Sequence, residues 1–420
     1  MNEQTVNGRS RRRERLRALG PGIMMASAAV GGSHIIASTQ AGALYGWQLA
    51  LIIVLANLFK YPFFRFGPQY TLETGKSLLE GYAEKSRVYL WVFFVLNLFA
   101  TVINTAAVSM LCAAILGFAL PGDLPVNMLS AAVLASAVLM LLIGPYRTVD
   151  GMSKIIMASL TVTTVAAVAA AAVKGAQMQP DFIEPSPWNL GALAFIVALM
   201  GWMPAPIEIS VINSLWVAAK RKLEKVSYED GLFDFNVGYI GTAALAVVFL
   251  ALGALVQYGS GAEVQMTGGA YIGQLIDMYA KTIGEWSRWL VTFIAFACMY
   301  GTTITVIDGY SRTNMESFRL ILRRPESERS NRILAVWITL AAVAGLCVIV
   351  FFKGAVMPML KFAMIASFVG TPVFAYLNLA LVRRGGHKLQ PWLMWLAWAG
   401  LLYLSGFAVL FLLNQTGVIA

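Results

Sequence analysis

Met200-Gly201-Trp202-Met203-Pro204-Ala205-Pro206-Ile207-Glu208 interrupts an apolar run that extends from residue 190 to residue 217. Pro204 and Pro206 each remove a backbone donor in mid-run, and a helix keeps such residues only with a kink or an unwound turn. A second interruption lies near the start of the chain. Gly31-Gly32-Ser33 sits inside the apolar segment 20–44, and each interior glycine weakens a helix by about 0.8–1 kcal/mol. What these two stretches mean depends on whether the segments around them cross a membrane.

Composition answers that question. Of 420 residues, 59% are AVILMFWYC, 12% are charged, and the mean hydropathy is +0.70. A soluble domain of this size cannot bury so much apolar side chain. Soluble enzymes, nucleic-acid binders and disordered chains are poor fits. Long apolar stretches separated by short basic loops indicate an all-α polytopic membrane protein, whose partner is the lipid bilayer, with no nucleic acid. The formal net charge of +10 then reports topology rather than a DNA footprint.

At some 20 apolar residues per crossing, about 11 transmembrane helices are read: 20–44, 47–66, 88–119, 125–144, 153–174, 190–217, 232–258, 286–316, 331–352, 355–382 and 391–413. Residues 1–19 form a basic tail. With that tail in the cytoplasm, about 26 of the 31 Lys and Arg residues fall inside, a strong positive-inside bias. Lys60, Arg65 and Arg312 are counted there as residues near inner span ends, with Lys60 and Arg65 snorkelling to headgroups. An odd span count places the C-terminus outside. The expected location is a bacterial inner membrane.

Chemistry-bearing motifs are sparse. No Walker A loop, HExxH or GxSxG occurs, and two histidines exclude a His-rich metal site. No cofactor is implied. Cys112, Cys298 and Cys347 each lie inside an apolar stretch without CxxC spacing and read as small buried hydrophobes. Arg9–Arg17 precedes an apolar stretch too long, and too poor in small-residue cleavage signals, for a removable leader.

The two interruptions fall in spans 1 and 6. Irregular backbone at membrane depth survives only where it is buried in protein or lines a cavity. Matching breaks five spans apart point to an inverted five-plus-five repeat with a site at the midplane. The repeats are then 20–174 and 190–382, and 391–413 is an extra eleventh helix. Two unrelated packing kinks are the alternative.

At this point the chain resembles the NRAMP family, the natural-resistance-associated macrophage protein class of divalent metal transporters. Gly20-Pro21-Gly22 and Gln40-Ala41-Gly42-Ala43 are similar to the ends of its first helix. Glu73-Thr74-Gly75-Lys76-Ser77-Leu78 is similar to its Thr-Gly segment after span 2, and Met203-Pro204 to the Met-Pro of its sixth helix. Gly301-Thr302-Thr303-Ile304-Thr305 and Met315-Glu316-Ser317-Phe318 are similar to its eighth helix. The resemblance implies an amino-acid-transporter-like fold with broken helices 1 and 6, and a secondary transporter working by alternating access.

The departures are concentrated where that family binds metal. Its Asp-Pro-Gly-Asn motif aligns with Gly31-Gly32-Ser33-His34, so the carboxylate is gone. Its sixth-helix histidines align with Ala205 and about Ser210. Where its third helix carries acidic residues for a proton pathway, this chain offers Asn97, Asn104 and Thr105. A bare divalent ion needs oxygen or nitrogen ligands and nearby negative charge. His34 and Met203 are the remaining metal-ligand candidates and form a sparse, neutral pair.

The candidate substrate site therefore comprises Gly31, Gly32, Ser33, His34, Met200, Trp202, Met203, Ala205, Glu208 and Asn104. His34 could bind cargo or carry a proton, or simply pack. Glu208, a carboxylate within a span, is a functional candidate by position, with helix-dipole stabilisation as the bland reading. Trp202 could stack on an organic or cationic ligand; Asn104 could bond helices together. Asp308 and Arg312 are expected to pair at i,i+4, and Asp234 to act as a cap or gate. Two glycines in place of Asp and Pro predict a wider, more neutral site. The expected cargo is bulkier than a bare ion: a chelated metal or a small organic anion, with little proton flux. A bare divalent metal transporter with a rebuilt site is the first alternative. A membrane-embedded sensor or enzyme is the second, disfavoured because adjacent Ser33 and His34 make a poor nucleophile–base pair.

Overall fold

The computed structural model describes residues 19–143, 146–176, 178–265, 268–326, 330–384 and 390–419. The described residues form helices and connecting turns, with no strand. In order they are α1 (Pro21–Ala29), a π-helical turn (Ser33–Ser38), α2 (Thr39–Tyr45), α3 (Ala50–Thr74), α4 (Leu78–Lys85), α5 (Arg87–Ala119), α6 (Val126–Ile143), α7 (Tyr146–Lys174), α8 (Leu190–Gly201), α9 (Ile209–Leu223), α10 (Tyr228–Val256), α11 (Gly268–Ile283), α12 (Ser287–Ile321), α13 (Asn331–Phe351), α14 (Val356–Arg384) and α15 (Pro391–Gln415).

Nine helices among the described residues are long and apolar enough to cross a membrane: α3, α5, α6, α7, α10, α12, α13, α14 and α15. The two remaining apolar segments are both broken. Segment 21–45 is interrupted at Val30, whose backbone is extended, and resumes as the π-helical turn. Segment 190–223 stops at Gly201 and restarts at Ile209. The breaks thus fall where glycine pairs and prolines weaken the helix. The N-terminal tail and His387 lie outside the described residues.

Several boundaries differ from the sequence reading. The second span was expected to end at 66, but α3 continues through Pro62 and Pro68 to Thr74. It stops where Gly75 takes a left-handed conformation, φ 78°, which glycine adopts without steric cost. Two further helices were not anticipated. α4 begins with a capping box, in which Ser77 and Glu80 each accept from the other's backbone N–H. α11 buries Tyr271, Ile272, Leu275, Ile276 and Tyr279, a one-sided pattern at helical spacing that is too short to register as a span.

α10 runs along both halves of the first broken segment, and paired glycines permit the approach. A Cβ on Gly22 would lie 2.2 Å from Asp234 O, and one on Gly238 would lie 2.2 Å from Gly22 O. At the other end, a Cβ on Gly42 would meet Leu250 O at 2.0 Å, and one on Gly253 would meet Thr39 O at 2.1 Å. Small residues let membrane helices touch backbone to backbone in this way. Asp234 completes the junction. Its carboxylate accepts from Gly20 N at 3.0 Å and Gly22 N at 2.7 Å, so it caps α1 rather than its own helix.

Candidate functional site

Both breaks open onto one narrow cavity of about 30 Å³. The first broken segment contributes Ala28, Ala29, Gly31, Gly32 and Ser33, and the second Trp202, Ala205, Pro206 and Ile209. α5 adds Asn104 and Val108, and α12 adds Thr302, Val306 and Tyr310. Thr302, Val306 and Tyr310 recur every four residues and so share one helix face. Thr302 was noted in the sequence only as part of a family-like segment. The spacing of these three was the available signal, and Tyr310 was missed.

A polar network ties the walls together. Trp202 Nε1 donates to Asn104 Oδ1 and Ser367 Oγ, both at 3.1 Å. Asn104 Nδ2 donates to Tyr310 Oη at 2.8 Å, and Tyr310 donates to Glu208 Oε1 at 2.9 Å. Asn104 Nδ2 also lies 3.5 Å from that same carboxylate oxygen. Glu208 Oε2 has no hydrogen-bond partner. Glu208 itself is buried and stands behind Asn104 and Tyr310 rather than on the cavity wall.

Of the ten candidate residues, Gly31, Gly32, Ser33, Asn104, Trp202 and Ala205 line this cavity. His34, Met200 and Met203 are fully buried and do not line it. His34 turns outward from the break. Its Nδ1 lies 2.7 Å from Ser33 Oγ and its Nε2 lies 2.9 Å from Thr242 O on α10. Both ring nitrogens are thereby engaged, and the imidazole edge packs against Phe249. The Met200 sulfur accepts from Tyr403 Oη at 3.3 Å, facing α15. The expected His34–Met203 metal pair is therefore not assembled at the cavity. Among the described residues, no three His, Cys, Asp or Glu side chains come together to hold a metal.

The expected widening is also offset. A Cβ on Gly32 would lie 2.8 Å from Trp202 Cζ3 and 3.3 Å from Leu111 Cδ2. The indole therefore occupies the volume that a side chain at residue 32 would need. The second glycine is less confined: a Cβ on Gly31 would meet the Thr302 side chain at 3.3 Å.

Lys60 departs furthest from expectation. It does not snorkel to headgroups but is fully buried in α3. Its ammonium donates to Met200 O at 2.6 Å, Gly201 O at 2.9 Å and Ala205 O at 3.3 Å, all in the second break. Sequence position could not reveal this, because the partners are backbone carbonyls some 140 residues away. Asp308 and Arg312 do pair as expected, at 2.7 Å. Cys112 and Cys298 are buried, whereas Cys347 is exposed on α13.

Where acidic residues of a proton pathway were absent from the sequence, α5 and α12 are joined by neutral groups. Asn97 Nδ2 donates to Asn314 Oδ1 at 2.6 Å, and Asn314 Nδ2 donates to Thr101 Oγ1 at 2.8 Å.

Known proteins place this architecture. The family model described as natural resistance-associated macrophage protein-like, Nramp, matches residues 22–414. An uncharacterised protein of Pasteurella multocida (strain Pm70) is 66% identical over 403 residues, covering 95% of this chain and 93% of its own length. Among solved structures, the manganese transporter of Eremococcus coleocola, in complex with an aromatic bis-isothiourea substituted compound, superposes with a TM-score of 0.68. It is 15% identical, over 94% of this chain and 86% of the transporter. A nucleobase-cation-symport-1 family transporter, closed with bromovinylhydantoin bound, gives a TM-score of 0.59 at 12% identity, over 94% of this chain and 93% of its own. At such identities the two solved structures share the fold alone, but the family match spans nearly the whole chain. The protein is an integral membrane protein that belongs to the Nramp family, a family of transporters rather than enzymes.

Proposed function

We propose that this Nramp-family chain is a secondary transporter whose cargo is bulkier than a bare divalent ion: a chelated metal or a small organic anion, carried by alternating access around the two broken helices. The observation that carries this reading is the chemistry of the cavity wall. Amide, indole, phenol, hydroxyl and alkyl groups line it, whereas both nitrogens of His34 are engaged elsewhere. A hard divalent ion stripped of water needs several oxygen or nitrogen ligands and compensating charge. A chelate or organic anion brings its own ligands or shape and needs a mostly apolar pocket with a few placed polar groups. The same fold holds bromovinylhydantoin in the nucleobase-cation-symport-1 transporter, so it can accommodate an organic molecule.

The candidate cargo contacts are Gly31, Gly32, Ser33, Asn104, Trp202 and Ala205, with Glu208 acting through Asn104 and Tyr310. We further assign repeats 20–174 and 190–382, with 391–413 added, so that nine long helices and two broken segments make eleven crossings. The basic loops support a cytoplasmic N-terminus, an outside C-terminus and residence in a bacterial inner membrane.

A second reading, transport of a bare divalent ion, is favoured by one feature, the unpartnered Glu208 Oε2. Uptake into proteoliposomes separates the two. Radiolabelled Mn²⁺ is supplied free, then as its citrate chelate, and labelled citrate is supplied alone. Accumulation of chelate or carboxylate without free Mn²⁺ supports the proposal. Saturable uptake of free Mn²⁺ supports the second reading.

A further inference from the structure

The second break exposes main-chain carbonyls that no helix can satisfy. The last carbonyls of a helix lack intrahelical partners, and an unpaired polar group at membrane depth is costly. At the end of α8 these are Met200 O, which also accepts a long turn bond from Met203 N at 3.3 Å, and Gly201 O, joined by Ala205 O from the unwound stretch. All three point at one atom, Lys60 Nζ. A neutral amine has two hydrogens and a lone pair that would repel the third carbonyl. Three acceptors around one nitrogen match an ammonium, which has three donors and no acceptor. The negative end of the α8 dipole lies at the same place and favours a cation. Glu208 supplies a carboxylate within electrostatic reach on the far side of the break.

We propose that Lys60 is a tethered cation occupying a carbonyl cradle in the second broken helix, a cradle whose intrinsic ligand is a small monovalent cation such as Na⁺, K⁺ or a primary ammonium. Half-helix C-termini and unwound carbonyls are how broken membrane helices coordinate free cations. Here the covalent cation holds that position permanently, so the intact protein needs no dissociable ion there. Removing the side chain opens the cradle to solution ions. The inference concerns α3 and the carbonyls of the second break, and stands whatever the cargo of the cavity proves to be.

The test compares purified full-length wild type, Lys60→Ala, Lys60→Ser and Lys60→Met by thermal unfolding. Each is melted in chloride salts of Na⁺, K⁺, methylammonium and the bulky cation N-methylglucamine at fixed ionic strength. Wild type is expected to melt at the same temperature in all four. Lys60→Ala and Lys60→Ser, which leave room, are expected to gain a saturable rise of about 3 °C or more in at least one small cation. Lys60→Met, which fills the space without charge, is expected to melt below wild type in every salt. The proposal is overturned if both small variants are indifferent to the cation, or if both fail to fold in every salt, because no diffusible cation then replaces the tethered one. It is equally overturned if Lys60→Met matches wild type, since the carbonyls would then need no cation.

Discussion

Tyr310 Oη donates to Glu208 Oε1 at 2.9 Å, while the other oxygen of that buried carboxylate has no partner. This one contact joins α12 to the unwound stretch of the second broken segment. It also places the phenol between Glu208 and the cavity, so that any cargo meets Tyr310 and Asn104 before the carboxylate. Tyr310→Phe removes the hydroxyl and leaves Glu208 with the longer Asn104 contact only. A hydrogen bond to a charged group is worth about 1.5–3 kcal/mol, and a loss of that order is expected in denaturant or thermal unfolding. A variant as stable as wild type would show that the carboxylate is satisfied by other means.

Gly32 and Trp202 form a fitted pair across the two breaks. Because a Cβ on Gly32 would lie 2.8 Å from the indole, Gly32→Ala must displace the ring, with an expected cost of about 1–3 kcal/mol from overpacking. Trp202→Leu should make the same alanine cheaper. A double-mutant cycle reads this directly, and the coupling should be well outside the ±0.5 kcal/mol or so found for independent sites. Additive effects would mean that the ring does not rest on residue 32.

Asp234 on the adjacent α10 holds the start of α1 through Gly20 N and Gly22 N. Asp234→Ala frees two backbone donors at a helix N-terminus. The expected penalty is about 1–2 kcal/mol, the usual size of a lost cap. Hydrogen exchange should show it as faster exchange confined to residues 20–24. Unchanged protection there would contradict the capping role.

The neutral Asn97–Asn314–Thr101 chain between α5 and α12 offers no group that changes charge between ordinary pH values. Cargo uptake is therefore expected to carry little proton flux. A pH-sensitive dye inside proteoliposomes checks this. Substrate-dependent acidification of the lumen would place a proton carrier elsewhere in the pathway.

The all-helical fold and its two breaks were legible in the sequence because their signals are local. Gly31-Gly32 and Pro204–Pro206 mark the breaks by backbone chemistry alone, and apolar run lengths mark the spans. The site was only partly legible. Residues on the broken segments could be named because the unwound backbone must line something, and six of ten candidates do reach the cavity. Side-chain direction could not be read. His34 lies beside the break yet points at Thr242 O, and Lys60 looked like an interfacial residue yet closes onto carbonyls of another helix. The emptied volume at Gly32 was legible, but the ring that fills it comes from a segment 170 residues away. Those outcomes depend on how helices rotate against one another, and spacing along a single chain does not encode that.

The most direct test of the cargo assignment is isothermal titration of the purified protein with free Mn²⁺, then with ferric chelates, then with small carboxylates. Free Mn²⁺ is expected to give no saturable heat, and a chelate or a carboxylate a saturable signal that Trp202→Ala weakens. Saturable binding of free Mn²⁺ that is lost in Glu208→Gln would contradict it, and would mean that the unpartnered carboxylate serves a bare metal ion.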